Sequence, residues 1–218
     1  MADPAPATEN NEARRIQMLR AAAELVCERG FSETRISDVA KRAGVSSALV
    51  IYYFGTRDRL LVDALRYSEE SFYEAAERML AEIPSVHERL SLLTQWTCVP
   101  GPDVAGPASP GTHNEIPGAW GLWFDLWAQA FRHDEVRAGR VELDARWRRM
   151  IVDAVESADL DVDARMFALE FSALLDGLSI QVALEDPEVD SKVAYDIAMR
   201  FAERELNLPA DRKRAKAR

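Results

Sequence analysis

The chain has 218 residues, 48% of them hydrophobic and 29% charged, which is enough for a core in one or two domains and too little for a large multidomain enzyme. Two cysteines and three histidines (His87, His113 and His133) exclude a disulfide framework and a multi-cysteine zinc site, and predict neither a metal centre nor a cofactor. The formal net charge of −10 is unevenly held: residues 1–67 sum to +1 and the remainder to −11, which marks the N-terminal part as a unit with its own task.

Apolar spacing of three and four predicts helix almost throughout, and strand-like alternation never persists. Residues 1–11, rich in Pro and Ala, are expected to be disordered. No apolar signal-peptide core follows, and no apolar run approaches the ~18 residues needed to cross a bilayer. The expected compartment is the cytoplasm. A first helix is predicted over Glu12–Arg29, with Ile16, Leu19, Ala23, Val26 and Cys27 on its apolar stripe and Gly30 ending it. Two short helices follow, Ile36–Ala43 and Ser47–Tyr53, separated by Gly44. Thr56 reads as the N-cap of a long helix reaching Ile83, about 42 Å at ~1.5 Å per residue. Ser85 caps the next helix, which ends near Cys98. Residues 100–118 hold five Pro and four Gly and are expected to form a mobile loop or lid. Further helices are predicted over 118–131, 135–156, 162–184 and 191–206. The chain closes on RKRAKAR, expected to be a solvated, disordered end or a source of nonspecific phosphate contacts.

The segment ISDVAKRAGVSSALVIYYFG carries the sharpest signal. Two helices that cross steeply need a small residue at the crossing, a turn residue tolerant of positive φ, and a branched apolar residue facing back. Ala40, Gly44 and Val50 meet these needs at the fifth, ninth and fifteenth positions from Ile36. This is helix-turn-helix spacing, whose second helix lies in the DNA major groove. An ordinary corner between two helices would use the same triplet. The residues off the packing stripe favour the DNA reading: Ser46, Ser47, Tyr52 and Tyr53 offer hydroxyls to phosphates and base edges. Arg35 and Arg57 stand at helix starts, where phosphate is also favoured.

The run T-R-I-S-D-V-A-K-R-A-G-V-S-S-A-L-V-I-Y-Y-F-G-T-R-D-R-L-L resembles the DNA-binding head of the tetracycline-repressor (TetR) family over residues 12–65. Ile51 stands where that family commonly has Tyr, Tyr53 where it has His, Arg57 where it has Lys, and Arg35 where a Thr often stands. The resemblance implies that Ser47, Ala48 and Leu49 face base edges. It implies that Arg35, Ser37, Tyr52, Tyr53 and Arg57 position the phosphate backbone, with Ser46 and Thr56 beside them. The apolar pair Ala48 and Leu49 suits thymine methyls.

In the C-terminal body, W-G-L-W-F-D-L-W-A-Q-A-F-R-H-D-E-V-R and L-L-D-G-L resemble the choline/betaine-regulator-like branch of that family. Trp120, Trp123, Trp127 and Phe131 recur at helical spacing. They read either as a core stripe or as one wall of a ligand cavity, with Trp96, Trp147, Phe167 and Phe171 on facing sides. An aromatic wall in an acidic body suits an organic cation; a neutral lipophilic or aromatic ligand stays open. Family members dimerise through their last two helices, here carrying Phe167, Leu174, Leu175, Leu178, Ile197 and Phe201, and such a dimer matches a palindromic operator.

The sequence thus predicts an all-α protein: a helix-turn-helix domain over 12–55, a connecting helix over 56–83, a ligand-binding and dimerisation domain over 84–207, and a basic tail over 208–218. The expected function is a repressor that a small molecule releases from double-stranded DNA. An activator of the same fold, or a helical small-molecule-binding protein without DNA binding, are the alternatives. Catalysis is not expected: there is no H-E-x-x-H, Gly-rich phosphate loop or G-x-S-x-G.

Overall fold

The structure, a computed structural model, describes residues 5–98 and 119–209, with the backbone alone for residues 5–10, 71, 119–123 and 125. The 100–118 loop and the RKRAKAR tail lie outside the described residues. Helices account for the regular structure there: α1 (Ala5–Arg29), α2 (Ile36–Arg42), α3 (Ser47–Phe54), α4 (Arg57–Ala81), α5 (Val86–Cys98), α6 (Ala119–Ala130), α7 (Asp134–Glu156), α8 (Ala164–Ala183) and α9 (Ser191–Glu205). The fold is all-α, as the periodicity predicts. α1 begins at Ala5, ahead of the expected Glu12.

Short polar side chains start these helices by accepting from otherwise unpaired backbone N–H groups. Ser46 accepts from Leu49 N at 3.2 Å, Thr56 from Arg59 N at 3.1 Å and Ser85 from Glu88 N at 3.3 Å. Asp163 does so for α8 and Asp190 for α9. Gly44 and Gly55 have φ of +65° and +74° and make the sharp turns that flank α3.

The described residues form two compact units. The first holds residues 5–75 and 119–143, the second 76–98 and 144–209. In the first, α1, α2 and α3 form a three-helix head. Leu19, Ala22, Val26, Val39, Ala40, Val50 and Phe54 are buried there, so the crossing triplet faces inward as its spacing requires. Arg42 clasps Glu28 with two hydrogen bonds of 2.6 and 2.7 Å, which ties α2 to α1 and holds the Glu28 carboxyl below the usual carboxylate range. The division adds α6 and the start of α7 to this head unit, where the connection along the chain suggests a head of α1–α3 alone.

In the second unit, α5 packs against α8 and α9. Phe167, Phe171 and Phe201 stack with centroids 5.3–6.2 Å apart, and Leu90, Leu93, Leu175, Ala198 and Met199 are buried. Ser91 and Tyr195 hydroxyls meet at 2.6 Å. An 18-residue window of α8 has a mean hydropathy of 1.4 and charge low enough for a membrane span by composition. The reason is that α8 is apolar on two faces. Phe167, Phe171, Leu175 and Leu178 point inward, while Met166, Leu169 and Ile180 are exposed.

Candidate nucleic-acid interface and effector-binding elements

At 100° per residue, Val50 and Phe54 define the inward side of α3. Going round from Phe54, Ser47, Ile51, Ala48 and Tyr52 follow in that angular order, with Tyr52 opposite the inward side, and all four are exposed, Tyr52 by 82%. Leu49 is half-buried, so it is a weaker candidate for a base edge than Ala48. Arg35 and Ser37 at the start of α2, and Thr56 just before α4, are exposed. Ser46 and Thr56 accept backbone N–H bonds as caps, and each keeps a hydroxyl proton to donate to a phosphate. Tyr53 is half-buried; its hydroxyl donates to Asn11 Oδ1 at 3.2 Å, and its ring meets Tyr52 edge-on at 5.6 Å. α1 therefore steadies the aromatic pair that the reading helix presents.

Arg57 has a different place from the one its position suggests. Its Nε donates to Thr34 O at 2.7 Å, one Nη donates to Phe31 O, and the other donates to Asp58 Oδ1 at 2.9 Å. Its guanidinium also lies over the Phe31 ring at 5.0 Å. A planar fork aimed at two carbonyls pins the α1–α2 loop to the first turn of α4. Its donors face the protein, so Arg57 braces the head where a phosphate contact was expected.

The α6–α7 corner joins the same cluster. His133 Nδ1 lies 3.2 Å from Asp58 Oδ2, and its ring is 6.3 Å from Phe31. Gln129 donates to Ser32 Oγ at 3.3 Å. These contacts span dozens of residues in sequence. No local pattern announces them.

The eight aromatic residues expected to line a cavity are divided. Trp96, Trp147, Phe167 and Phe171 belong to the second unit and are buried, with Phe167 and Phe171 in its core stack. Trp120 and Trp123 lie on α6 with side chains outside the described residues. Trp127 is half-buried, and the buried Arg140 places its guanidinium 5.7 Å from that ring. Phe131 is 85% exposed, because it follows the end of α6 where the chain turns towards α7. It therefore does not line an interior wall. The sequence reading missed Glu69 and Arg140, charged residues wholly or almost wholly buried in the first unit, with Ser68 beside them on α4. No group of three or more His, Cys, Asp or Glu suited to a metal occurs among the described residues.

A paired-helix head with an outward reading helix, joined to a larger helical body, defines the class of helix-turn-helix transcriptional regulators. The comparisons narrow the class. Residues 18–64 match the model for bacterial regulatory proteins of the tetR family, and residues 110–207 match that for the C-terminal part of BetI-type transcriptional repressors. The chain belongs to the TetR family of ligand-responsive, DNA-binding transcriptional regulators. It is 25% identical over 203 residues to the HTH-type transcriptional regulator BetI of Agrobacterium fabrum, covering 93% of both chains. It is 27% identical over 206 residues to the Yersinia pestis regulator of that name, covering 89% of this chain and 93% of the other. Among solved structures it is similar to a transcriptional regulator from Saccharomonospora viridis in complex with choline. That match has 26% identity and a TM-score of 0.69, and covers 88% of this chain and 96% of the other. A TetR-family regulator from a Rhodococcus species matches at 25% identity and a TM-score of 0.68, covering 88% and 98%.

Proposed function

We propose that the protein is a repressor that binds a palindromic operator as a two-fold dimer and leaves it when an organic cation binds. The observation that carries the DNA half is the outward arc of α3, where Ser47, Ile51, Ala48 and Tyr52 are exposed over a sealed Val50–Phe54 side. Exposed Arg35, Ser37 and Thr56 supply donors for phosphates on either side.

Dimerisation through α8 and α9 is supported by a second apolar stripe. Met166, Leu169, Ala173, Gly177, Ile180 and Leu184 recur within an arc of about 80° along roughly 27 Å of helix. All but Gly177, which is half-buried, are exposed, and they lie opposite the inward Phe167–Phe171–Leu175 side. Val193 on α9 is exposed as well. Phe167, Leu175 and Leu178, among the apolar residues carried by this helix pair, are buried in the protomer's own core.

The cation is supported by the choline held in the Saccharomonospora viridis relative. The cation shifts the protein only by its differential affinity for the DNA-bound and released states. The place of action is the compartment that holds the DNA, the cytoplasm.

A mobility-shift assay tests the reading, using a duplex that the full chain selects from a random pool. We expect retention at low salt, a two-fold symmetric selected sequence, and release by choline or a larger quaternary amine. Failure to retain any duplex refutes DNA binding; release by a neutral aromatic with no response to any cation refutes the cationic effector.

A further inference from the structure

We infer that Ile51 is a specificity-determining residue that reads the 5-methyl group of a thymine. The inference rests on the DNA-binding reading above and deepens it. Ile51 is 49% exposed on a helix whose Val50 and Phe54 are sealed and whose Leu49 is half-buried. Its angular position is what commits it. Taking Ser47 as 0° and 100° per residue, Ile51 falls at about 40° and Ala48 at about 100°. Ile51 therefore lies between the two base-facing candidates, one turn further along. A helix docked so that Ser47 and Ala48 reach base edges brings Ile51 into the groove with them.

The chemistry of the side chain then limits what it can contact. Isoleucine has no donor or acceptor, so it recognises neither a phosphate nor the polar edge of guanine or adenine. In the major groove the thymine methyl is the apolar feature of an unmodified base pair. The surroundings suit a duplex. Arg35, Ser37 and Thr56 are exposed on the elements either side of α3, where phosphates would pass. Burying one methyl group against a branched side chain changes affinity about fourfold.

The experiment uses the full chain and the duplex it selects from a random pool. Each thymine is replaced in turn by uracil, which removes the methyl and leaves base pairing unchanged. Wild-type protein should lose about fourfold in affinity at one or two thymines per half-site. Ile51→Ala should bind the thymine and uracil duplexes equally at those positions, and Ile51→Val should fall between. Because Ile51 is exposed, the variants should melt with the wild type, which circular dichroism checks. Two results overturn the inference: wild type indifferent to every methyl, or Ile51→Ala keeping the full thymine preference while losing affinity uniformly, as contact with sugar alone would produce. If no duplex is selected at all, the DNA-binding reading fails first and this inference with it.

Discussion

At the scale of single residues, the head is held by side chains that polar composition alone would assign to solvent or to a ligand. Arg57 is the main case. Its fork joins two loop carbonyls and Asp58, so Arg57→Ala should lower stability by about 2 kcal/mol through lost charged hydrogen bonds and stranded carbonyls. Chemical denaturation reads that loss, whereas Arg35→Ala should leave the denaturation midpoint unchanged and weaken DNA binding. Equal stability of Arg57→Ala and wild type would show that the brace is idle. Of the cysteines, Cys98 is buried and Cys27 half-buried. Burial pushes the Cys27 thiol from 9.0 to about 11, with Glu28 and Glu24 adding to it. Burial, with Asp176 adding to it, pushes Cys98 to about 12. Raised thiol pKa values favour the folded state fully below pH 9 and less as pH climbs from 9 towards 12, because the unfolded thiols lose their protons first. Denaturation midpoints should therefore fall between pH 9 and 11, and by less in Cys98→Ala. At pH 8 both thiols should react with a disulfide reagent more slowly in the folded chain than in denaturant.

The relations between elements turn on the α6–α7 corner. His133 touches Asp58, Asp58 touches Arg57, and Arg57 holds the loop that leads into α2. A shift of this corner has a polar route to the loop that leads into α2. We expect His133→Ala to change DNA affinity and choline affinity separately by less than about threefold. The loss of DNA affinity proposed for choline should shrink by about fivefold or more. His133→Asn, whose side-chain amide can donate near the Nδ1 position, should restore part of it. An undiminished choline response in His133→Ala would place the coupling elsewhere. The helices themselves were legible because their causes are local: three- and four-residue apolar spacing, Ser and Asp caps, and glycines at Gly44 and Gly55 where φ is positive. The partition of α6 with the head was not legible, because it depends on contacts such as Gln129 to Ser32, far apart in sequence.

For the whole molecule, the outer stripe of α8 predicts assembly. Leu169→Glu places a charge in the middle of that stripe and should turn a dimer into a monomer at micromolar concentration in analytical ultracentrifugation. The protomer's helix content should not change, since Leu169 is exposed in it. Operator binding should drop by at least tenfold, since two linked heads engage two half-sites. A dimer that survives Leu169→Glu would rule out the stripe as the interface.

The sequence by itself determined the all-α class, the helix-turn-helix and the face it turns outward, because these follow from spacing within a few residues. Tertiary structure alone decided three things. Arg57 turns into the protein, Phe131 turns out of it, and Glu69 and Arg140 are drawn inside. Long and charged side chains take their direction from distant partners, through hydrogen bonds and desolvation that no short stretch of chain encodes.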